Sequence, residues 1–391
     1  MLKCIRCGAE YGISRSNYIC PKCRGLFEIV HLDEEFSIDK NLRGVWRYKS
    51  SVHPSISWKK VVTRGEGDTE TYSNEKISQW AGIKNLWLKH EGENPTGSFK
   101  DRGITVAISE AKRLGFEATI CASTGNTSAS VSSYSAIAGM KSYVLIPFGN
   151  ISESKLSQAV SYGAKIIDVS GDFDSAMSYV SDLAETTRKY YVMNSINPWR
   201  IEGQKTITFE ILERINDCDF ISMPAGNLGN TSAAGKALKE LKSMSIIDKV
   251  PKIVAVQAEG ASPFYNMWKN KSNHLTPVKA DTLASAIKIG NPVNWEKALN
   301  AINYTSGIVT KVSDLEIIQA KHEIDRTGIG CEPASAASLA GIRKLLDDGT
   351  IDRSDRVACV LTGHILKDLM SIPNNVKHET VDSFLSEIRK K

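Results

Sequence analysis

From about residue 60 onward, short apolar runs alternate with segments of helical periodicity. Leu86 to Lys89, Ala118 to Cys121, Ser142 to Ile146, Lys165 to Val169, Phe220 to Met223, Lys252 to Gln257 and Arg356 to Val360 each read as a strand. The stretch Ser98 to Leu114 carries Ile104, Ala107, Ile108, Ala111 and Leu114 on one face and stops at Gly115, which predicts a helix. Other helices are expected from the Ser123 loop to about Gly139, up to about Gly163, and from near Thr231. Such alternation implies parallel sheets covered by helices, with ligands gathering beyond the strand C-termini. The segment from His31 to about Lys60 reads as a connector with some packing of its own.

A chain of 391 residues supports two or three domains with ample core. Its 49 basic and 44 acidic residues leave a thinly spread charge of +5, too mild to call for nucleic-acid or membrane partners. The start, Met1-Leu2-Lys3-Cys4, lacks the apolar core of a signal peptide, and no segment approaches the length of a membrane span. A cytoplasmic protein is expected.

Four of the eight cysteines, Cys4, Cys7, Cys20 and Cys23, form two C-x-x-C pairs separated by 12 residues. Gly8 and Gly25 allow tight knuckles, and four thiolates suit tetrahedral zinc. Two disulfides are the alternative, and they fit poorly without a secretion signal. Four sulfurs leave no open coordination position, so the metal would be structural, in a zinc ribbon whose loss leaves cofactor binding largely intact. Cys121, Cys218, Cys331 and Cys359 lie in apolar contexts and read as buried thiols.

Candidate chemistry centres on Asn94-Pro-Thr-Gly-Ser-Phe-Lys-Asp-Arg-Gly103, which places Lys100 in the first turn of a helix. The positive end of the helix dipole disfavours an ammonium there, and a free amine is what Schiff-base chemistry needs. A loop of small polar residues, Ser123 to Ser130, follows a strand and offers the Asn126 amide as a donor. The Pro224 to Asn230 turn joins strand to helix and can present backbone N–H groups to a phosphate. In Leu361-Thr362-Gly363-His364 a hydroxyl at a strand end can bond a ring nitrogen. Each alone also fits a plainer account: a solvated lysine, a Ser/Thr cap, an ordinary turn, a loop cap.

Together these segments resemble the fold-type II pyridoxal-phosphate (PLP) enzymes and, within them, the threonine synthase family. Five further stretches carry the resemblance: residues 89–94, 194–205, 283–292, 331–337 and 361–368, so that it spans about 60 to 370. It implies a tryptophan synthase β-like α/β fold of two parallel-sheet domains plus the small zinc ribbon. The ribbon would occupy 1–30, a connector and the start of the large domain 31–85, a small mobile domain 86–193, and the rest of the large domain 194–391. Lys100 would hold PLP covalently, and Asn126 would bond its 3′-oxygen. Gly226, Asn227, Leu228, Gly229 and Asn230 would cradle its phosphate, and Thr362 would face its pyridine nitrogen. A neutral hydroxyl does not hold a ring proton as a carboxylate would, so the ring nitrogen is expected to be largely unprotonated.

The resemblance also implies a phosphorylated substrate, held by Ser123, Thr124, Asn194, Ser195 and Arg200, with Lys89 a possible further charge. Asp101 and Arg102 would support the site, and His364 is either an acid–base group or structural. The reaction implied is conversion of O-phospho-L-homoserine and water to L-threonine and phosphate, by a homodimer. A cysteate synthase-like activity on phosphoserine and sulfite would use the same contacts. A non-catalytic PLP-binding or ribbon-mediated role would not need Lys100. The stretch Gly65 to Thr71 departs from the family pattern, which leaves its turn open.

Overall fold

Three antiparallel strands, β1 (Leu2–Cys4), β2 (Glu10–Tyr11) and β3 (Phe27–Ile29), open the chain in the order β2-β1-β3. The connector holds a short helix, α1 (Lys49–Val52), between 3₁₀ turns at Gly44–Tyr48 and Trp58–Lys60. Next come β4 (Thr71–Tyr72), α2 (Glu75–Ala81), β5 (Asn85–His90) and α3 (Lys100–Leu114). The middle of the chain alternates: β6 (Ala118–Ala122), α4 (Asn126–Ala138), β7 (Lys141–Pro147), α5 (Glu153–Ser161), β8 (Lys165–Val169), α6 (Phe173–Thr187) and β9 (Tyr190–Val192). Then follow α7 (Pro198–Arg214), β10 (Phe220–Pro224), α8 (Gly229–Ser243), β11 (Lys252–Ala258) and α9 (Pro263–Lys269). Last come α10 (Trp295–Tyr304), β12 (Ile308–Val312), α11 (Asp314–Asp325), α12 (Pro333–Asp347) and β13 (Arg356–Leu361). This computed structural model describes residues 1–13, 18–31, 36–148, 153–171, 173–187 and 189–368, so the last part of the segment expected as 194–391 lies outside the described residues.

Two sheets organise the body. One has four parallel strands in the order β8-β7-β6-β9; the other has six, β12-β11-β10-β13-β5-β4, parallel except for β4. Every residue of β6 and β10 is buried, as strands covered by helices on both faces require. Gly115 and Gly139 take left-handed conformations (φ 80° and 70°) and end α3 and α4 where expected.

Three expectations are corrected. β5 pairs in register with β13, so residues 86–90, expected to open the small domain, lie in the six-stranded sheet. α3 starts at Lys100 rather than Ser98, because Ser98 forms a β-bridge with Gly363 and the Phe99 N–H donates to the Thr362 carbonyl (3.0 Å). α8 starts at Gly229 rather than near Thr231, because Leu228 (φ 63°) turns the chain straight from β10 into the helix.

The helices α3 and α7 cross with their backbones in close approach. A Cβ at Gly203 would lie 1.8 Å from the Arg102 carbonyl oxygen, and one at Gly103 would lie 2.7 Å from that of Arg200. Only glycine allows this crossing.

The ribbon is anchored rather than free-standing. Lys236 of α8 donates to the Ile29 carbonyl and Lys297 of α10 to that of Phe27, both at 2.5 Å. Arg6 Nε reaches both carboxylate oxygens of Glu296 at 2.8 Å, and the Val192 N–H at the end of β9 donates to the Tyr18 hydroxyl (2.9 Å). Leu2, Cys4, Cys20, Phe27 and Ile29 share one core cluster with residues of α3, α7 and the connector.

Candidate active site

The loop before Lys100 is held from both sheets. The Ser98–Gly363 bridge and the His364 N–H to Gly97 carbonyl bond (2.9 Å) strap it to the end of β13. Asp101 accepts from the Thr96 N–H (2.7 Å), the Thr96 hydroxyl (2.6 Å) and the Ser130 hydroxyl of α4 (2.5 Å). Burial outweighs these bonds and raises its carboxyl to about 6. Asp101 is thus a brace for the loop, as expected.

Burial lowers the Lys100 ammonium to about 7, with the Arg200 charge adding to the effect and Glu332 opposing it. Burial and a neighbouring cation, rather than the helix dipole invoked from sequence, are the leading causes. Arg200, at the start of α7, is 2% exposed. Its Nη1 donates to the Met193 carbonyl (3.0 Å), its Nε has no partner, and among the described residues no carboxylate pairs with it. Desolvation lowers even this guanidinium to about 10. The α3–α7 glycine crossing is what sets the two cations against each other.

The Ser123 loop is pinned from beneath. Asn194 accepts from the Ala122 N–H (3.0 Å) and donates to the Ala122 carbonyl (2.9 Å), so its amide holds the end of β6. The Ser123 hydroxyl accepts from the Gly125 and Ser128 N–H groups, each at 3.3 Å. Ser123, Thr124 and Ser195 are partly exposed.

The β10–α8 turn brings together the residues expected to cradle a phosphate. Gly226 packs on Ile287, whose Cα would be 3.0 Å from an added Cβ, which explains the matching stretch at 283–292. Asn227 Oδ1 accepts from the Val293 N–H (2.9 Å). The side chains of Asn230 (Nδ2) and Thr231 (Oγ1), in the first turn of α8, are buried without partners. Gln204 Oε1 and Asn294 Oδ1 are also unpartnered, and both residues approach Gly229: an added Cβ would be 3.6 Å from Gln204 Oε1 and 3.8 Å from Asn294 Nδ2. An unsatisfied buried polar group costs about 1–3 kcal/mol. Two open donors at a helix N-terminus fit the phosphate of PLP. Gln204 and Asn294 were assigned no role from sequence, although Gln204 lies in the matching stretch 194–205.

Glu332 was also assigned no role. It is buried before α12, and its carboxylate oxygens accept from Asn126 Nδ2 at 3.1 and 3.0 Å. The Thr362 hydroxyl is 3.5 Å from Glu332 Oε1 and 3.2 Å from the Ser335 hydroxyl. The groups expected at two edges of the PLP ring, Asn126 and Thr362, therefore meet at one carboxyl. Burial raises that carboxyl above the usual range.

Three neighbouring residues have other work. Lys89 pairs with Glu210 (2.7 Å) and donates to the Thr69 carbonyl (2.5 Å), so it belongs to an internal ion-pair cluster rather than adding charge at the site. Arg102 completes that cluster with Glu91 (2.5 Å) and Glu210 (2.7 Å). His364 Nδ1 accepts from the Leu366 N–H (3.2 Å), which suits a structural role. The divergent Gly65–Thr71 turn is closed by Glu66, which accepts from the Thr63 hydroxyl (2.9 Å), the Arg64 N–H (2.8 Å) and the Tyr134 hydroxyl (2.5 Å).

The sulfurs of Cys4, Cys7, Cys20 and Cys23 all lie within 4.8 Å of one another. Cys4 and Cys23 are 3.4 Å apart, and Cys7 and Cys20 3.8 Å. A disulfide needs about 2.05 Å. Zn–S bonds of about 2.3 Å in a tetrahedron put sulfurs about 3.8 Å apart.

The family model "Pyridoxal-phosphate dependent enzyme" matches residues 62–363. The chain is 46% identical to threonine synthase of Methanocaldococcus jannaschii over 377 residues, covering 94% of this chain and 92% of that relative. It is 44% identical to threonine synthase of Methanosarcina acetivorans, with 99% and 97% covered. Among solved structures, threonine synthase from Escherichia coli superposes with a TM-score of 0.69 at 19% identity, covering 91% of this chain and 88% of that one. Maize serine racemase gives 0.66 at 20% identity, covering 91% and 98%. At such identities the two structures speak for the fold alone.

Proposed function

The chain belongs to the pyridoxal-phosphate-dependent enzyme family, and from that premise we propose that it catalyses the threonine synthase reaction, in which O-phospho-L-homoserine and water give L-threonine and phosphate. The carrying observation is Arg200, a buried guanidinium with an unpartnered Nε and, among the described residues, no carboxylate beside it. An unpaired buried ion costs several kcal/mol, and a phosphate dianion is the partner that offsets this. The fork of N–H groups suits two phosphate oxygens.

Lys100, Asn126, Thr362 and the turn Gly226 to Asn230 would hold PLP, which when bound supplies the electron sink for negative charge developing on the substrate carbons. Lys100 Nζ, its ammonium lowered to about 7 by burial, would take the protons from Cα and Cβ and return one to Cγ after phosphate has left and one to Cα. Arg200 holds the substrate phosphate as it leaves Cγ, with the Ser123 and Thr124 hydroxyls and the N-terminus of α4 completing its shell. Asn194 positions that loop through Ala122, and Ser195 is steadied by Asn294 Nδ2 on its carbonyl (3.1 Å). Water then enters at Cβ.

Four clustered sulfurs support one structural zinc in the ribbon. Its place between α8, α10 and β9 suggests a brace for both sheets.

A cysteate synthase-like reaction would use the same phosphate contacts. The test offers the PLP-loaded protein O-phospho-L-homoserine in one arm and phosphoserine with sulfite in the other. L-Threonine in the first arm supports the proposal; product only in the second overturns it.

A further inference from the structure

We propose that Tyr18 of the four-cysteine ribbon is a positioning residue for Arg200, so that the ribbon supports binding of the substrate's phosphate. This rests on the site reading above and gives the ribbon a part in it.

β9 is the edge strand of the four-stranded sheet, with β6 as its neighbour. The Met193 N–H donates to the Ile120 carbonyl (2.9 Å), so the N–H and carbonyl of Val192, one residue earlier, face away from β6. Val192 is fully buried, and buried backbone groups need partners. Two side chains supply them. The Tyr18 hydroxyl accepts from the Val192 N–H (2.9 Å), and Asn197 Nδ2 donates to the Val192 carbonyl (2.8 Å). The edge is thus closed by one ribbon residue and by Asn197, the N-cap of α7.

Both partners lead to Arg200. Asn197 Oδ1 accepts from the Trp199 N–H (3.0 Å) and its carbonyl from the Arg200 N–H (3.3 Å), which sets the first turn of α7. Met193, next to Val192, accepts from Arg200 Nη1 on its carbonyl (3.0 Å). A displacement of Val192 therefore reaches both the backbone and the guanidinium of Arg200. Apolar contacts follow the same route. Tyr18 and Leu26 of the ribbon share a buried cluster with Val192 and with Ile196, which lies between Ser195 and Asn197. The Tyr18 ring also meets the Tyr191 ring edge-on, with centroids 5.8 Å apart. The stretch that carries Asn194, Ser195 and Arg200 is thus backed by the ribbon. Tyr18 stands two residues before Cys20, and the Ile19–Leu26 bridge joins its neighbour to Leu26. A metal held by the four sulfurs would fix where both Tyr18 and Leu26 sit.

The test uses the full chain loaded with PLP and zinc, titrating inorganic phosphate by calorimetry alongside kinetics on O-phospho-L-homoserine. Tyr18→Phe keeps the ring and removes the acceptor. It is expected to weaken phosphate binding and raise KM, each roughly three- to tenfold, as the loss of one hydrogen bond allows. Zinc content and cofactor absorbance should not change. Arg6→Ala cuts the ribbon's ion pair with Glu296 of α10 and should leave phosphate affinity as in wild type. A purely structural Tyr18 would lower the melting temperature without moving phosphate affinity, and that result overturns the proposal. An equal loss of affinity in Arg6→Ala also overturns it, since loosening the ribbon anywhere would then suffice. The site reading fails separately, if Arg200→Ala binds phosphate like wild type. Should Tyr18→Phe not fold, hydrogen exchange of the wild type decides, because coupling is reciprocal. Inorganic phosphate should slow exchange in residues 18–27 as well as in 190–197; unchanged exchange in 18–27 overturns the proposal.

Discussion

Gly203 of α7 lies so close to Arg102 of α3 that a Cβ at 203 would stand 1.8 Å from the Arg102 carbonyl oxygen. That backbone contact brings the start of α7, with Arg200, up to the start of α3, with Lys100. Gly203→Ala should force the helices apart and cost at least the 1–3 kcal/mol typical of overpacking, or about that much more where only backbone can yield. Gly229→Ala, whose nearest neighbour would be 3.6 Å away, should be nearly neutral in stability. Denaturant unfolding of the two variants checks the ranking; equal stability would show that the crossing can relax.

Lys100 should reveal its lowered value in pH dependence. With the folded amine near 7 and the unfolded one near 10.5, the unfolded apoprotein binds more protons between these limits, so this group makes stability rise with pH across that window. Covalent capture of the PLP aldehyde should level off above about pH 8 and fall tenfold per unit below about 6. Stopped-flow absorbance measures this. A capture rate still climbing through pH 10 would mean an ordinary lysine. Lys100→Ala should lose the borohydride-trappable cofactor altogether.

Removing the buried cation should be felt in turnover. Arg200→Ala is expected to cost about 3–5 kcal/mol of transition-state stabilisation, on the order of a hundredfold or more in kcat/KM. It should also weaken inhibition by inorganic phosphate. Arg200→Lys should recover only part, since an ammonium lacks the fork. Cofactor absorbance should be unchanged in both, and wild-type kinetics in Arg200→Ala would move the phosphate anchor elsewhere.

Loss of the ribbon metal should reach beyond residues 1–30. Phe27 and Ile29 supply the carbonyls that hold Lys297 and Lys236, and burial already lowers Lys297 to about 8. Chelation, or Cys4→Ser with Cys7→Ser, should therefore lower the melting temperature of the whole chain and weaken PLP binding. Metal analysis should give one zinc per chain. An unchanged melting curve after verified zinc loss would return the ribbon to the detachable module that its spacing first suggested.

The parallel strands were legible because buried strands leave continuous apolar runs, and the ends of α3 and α4 because glycine marks them. Lys100, the β10–α8 turn and the four-cysteine cluster were legible as local motifs. What local motifs do not carry is partnership across long separations. Asn194 looked like a free donor until its clamp on Ala122 was visible, and Lys89 looked like spare charge until Glu210 was seen beside it. Glu332 lay in a stretch that matched the family but carried no role of its own, because its partners Asn126 and Thr362 are distant in the chain.

The central claim concerns which bond breaks in the phosphorylated substrate. O-phospho-L-homoserine should be turned over in water carrying heavy oxygen, with mass spectrometry of both products. Cleavage at Cγ and water entry at Cβ predict L-threonine with one heavy oxygen in its hydroxyl and an equal amount of unlabelled phosphate. Labelled phosphate with unlabelled homoserine would contradict the account, because it would make the Arg200 site that of a phosphate-ester hydrolase.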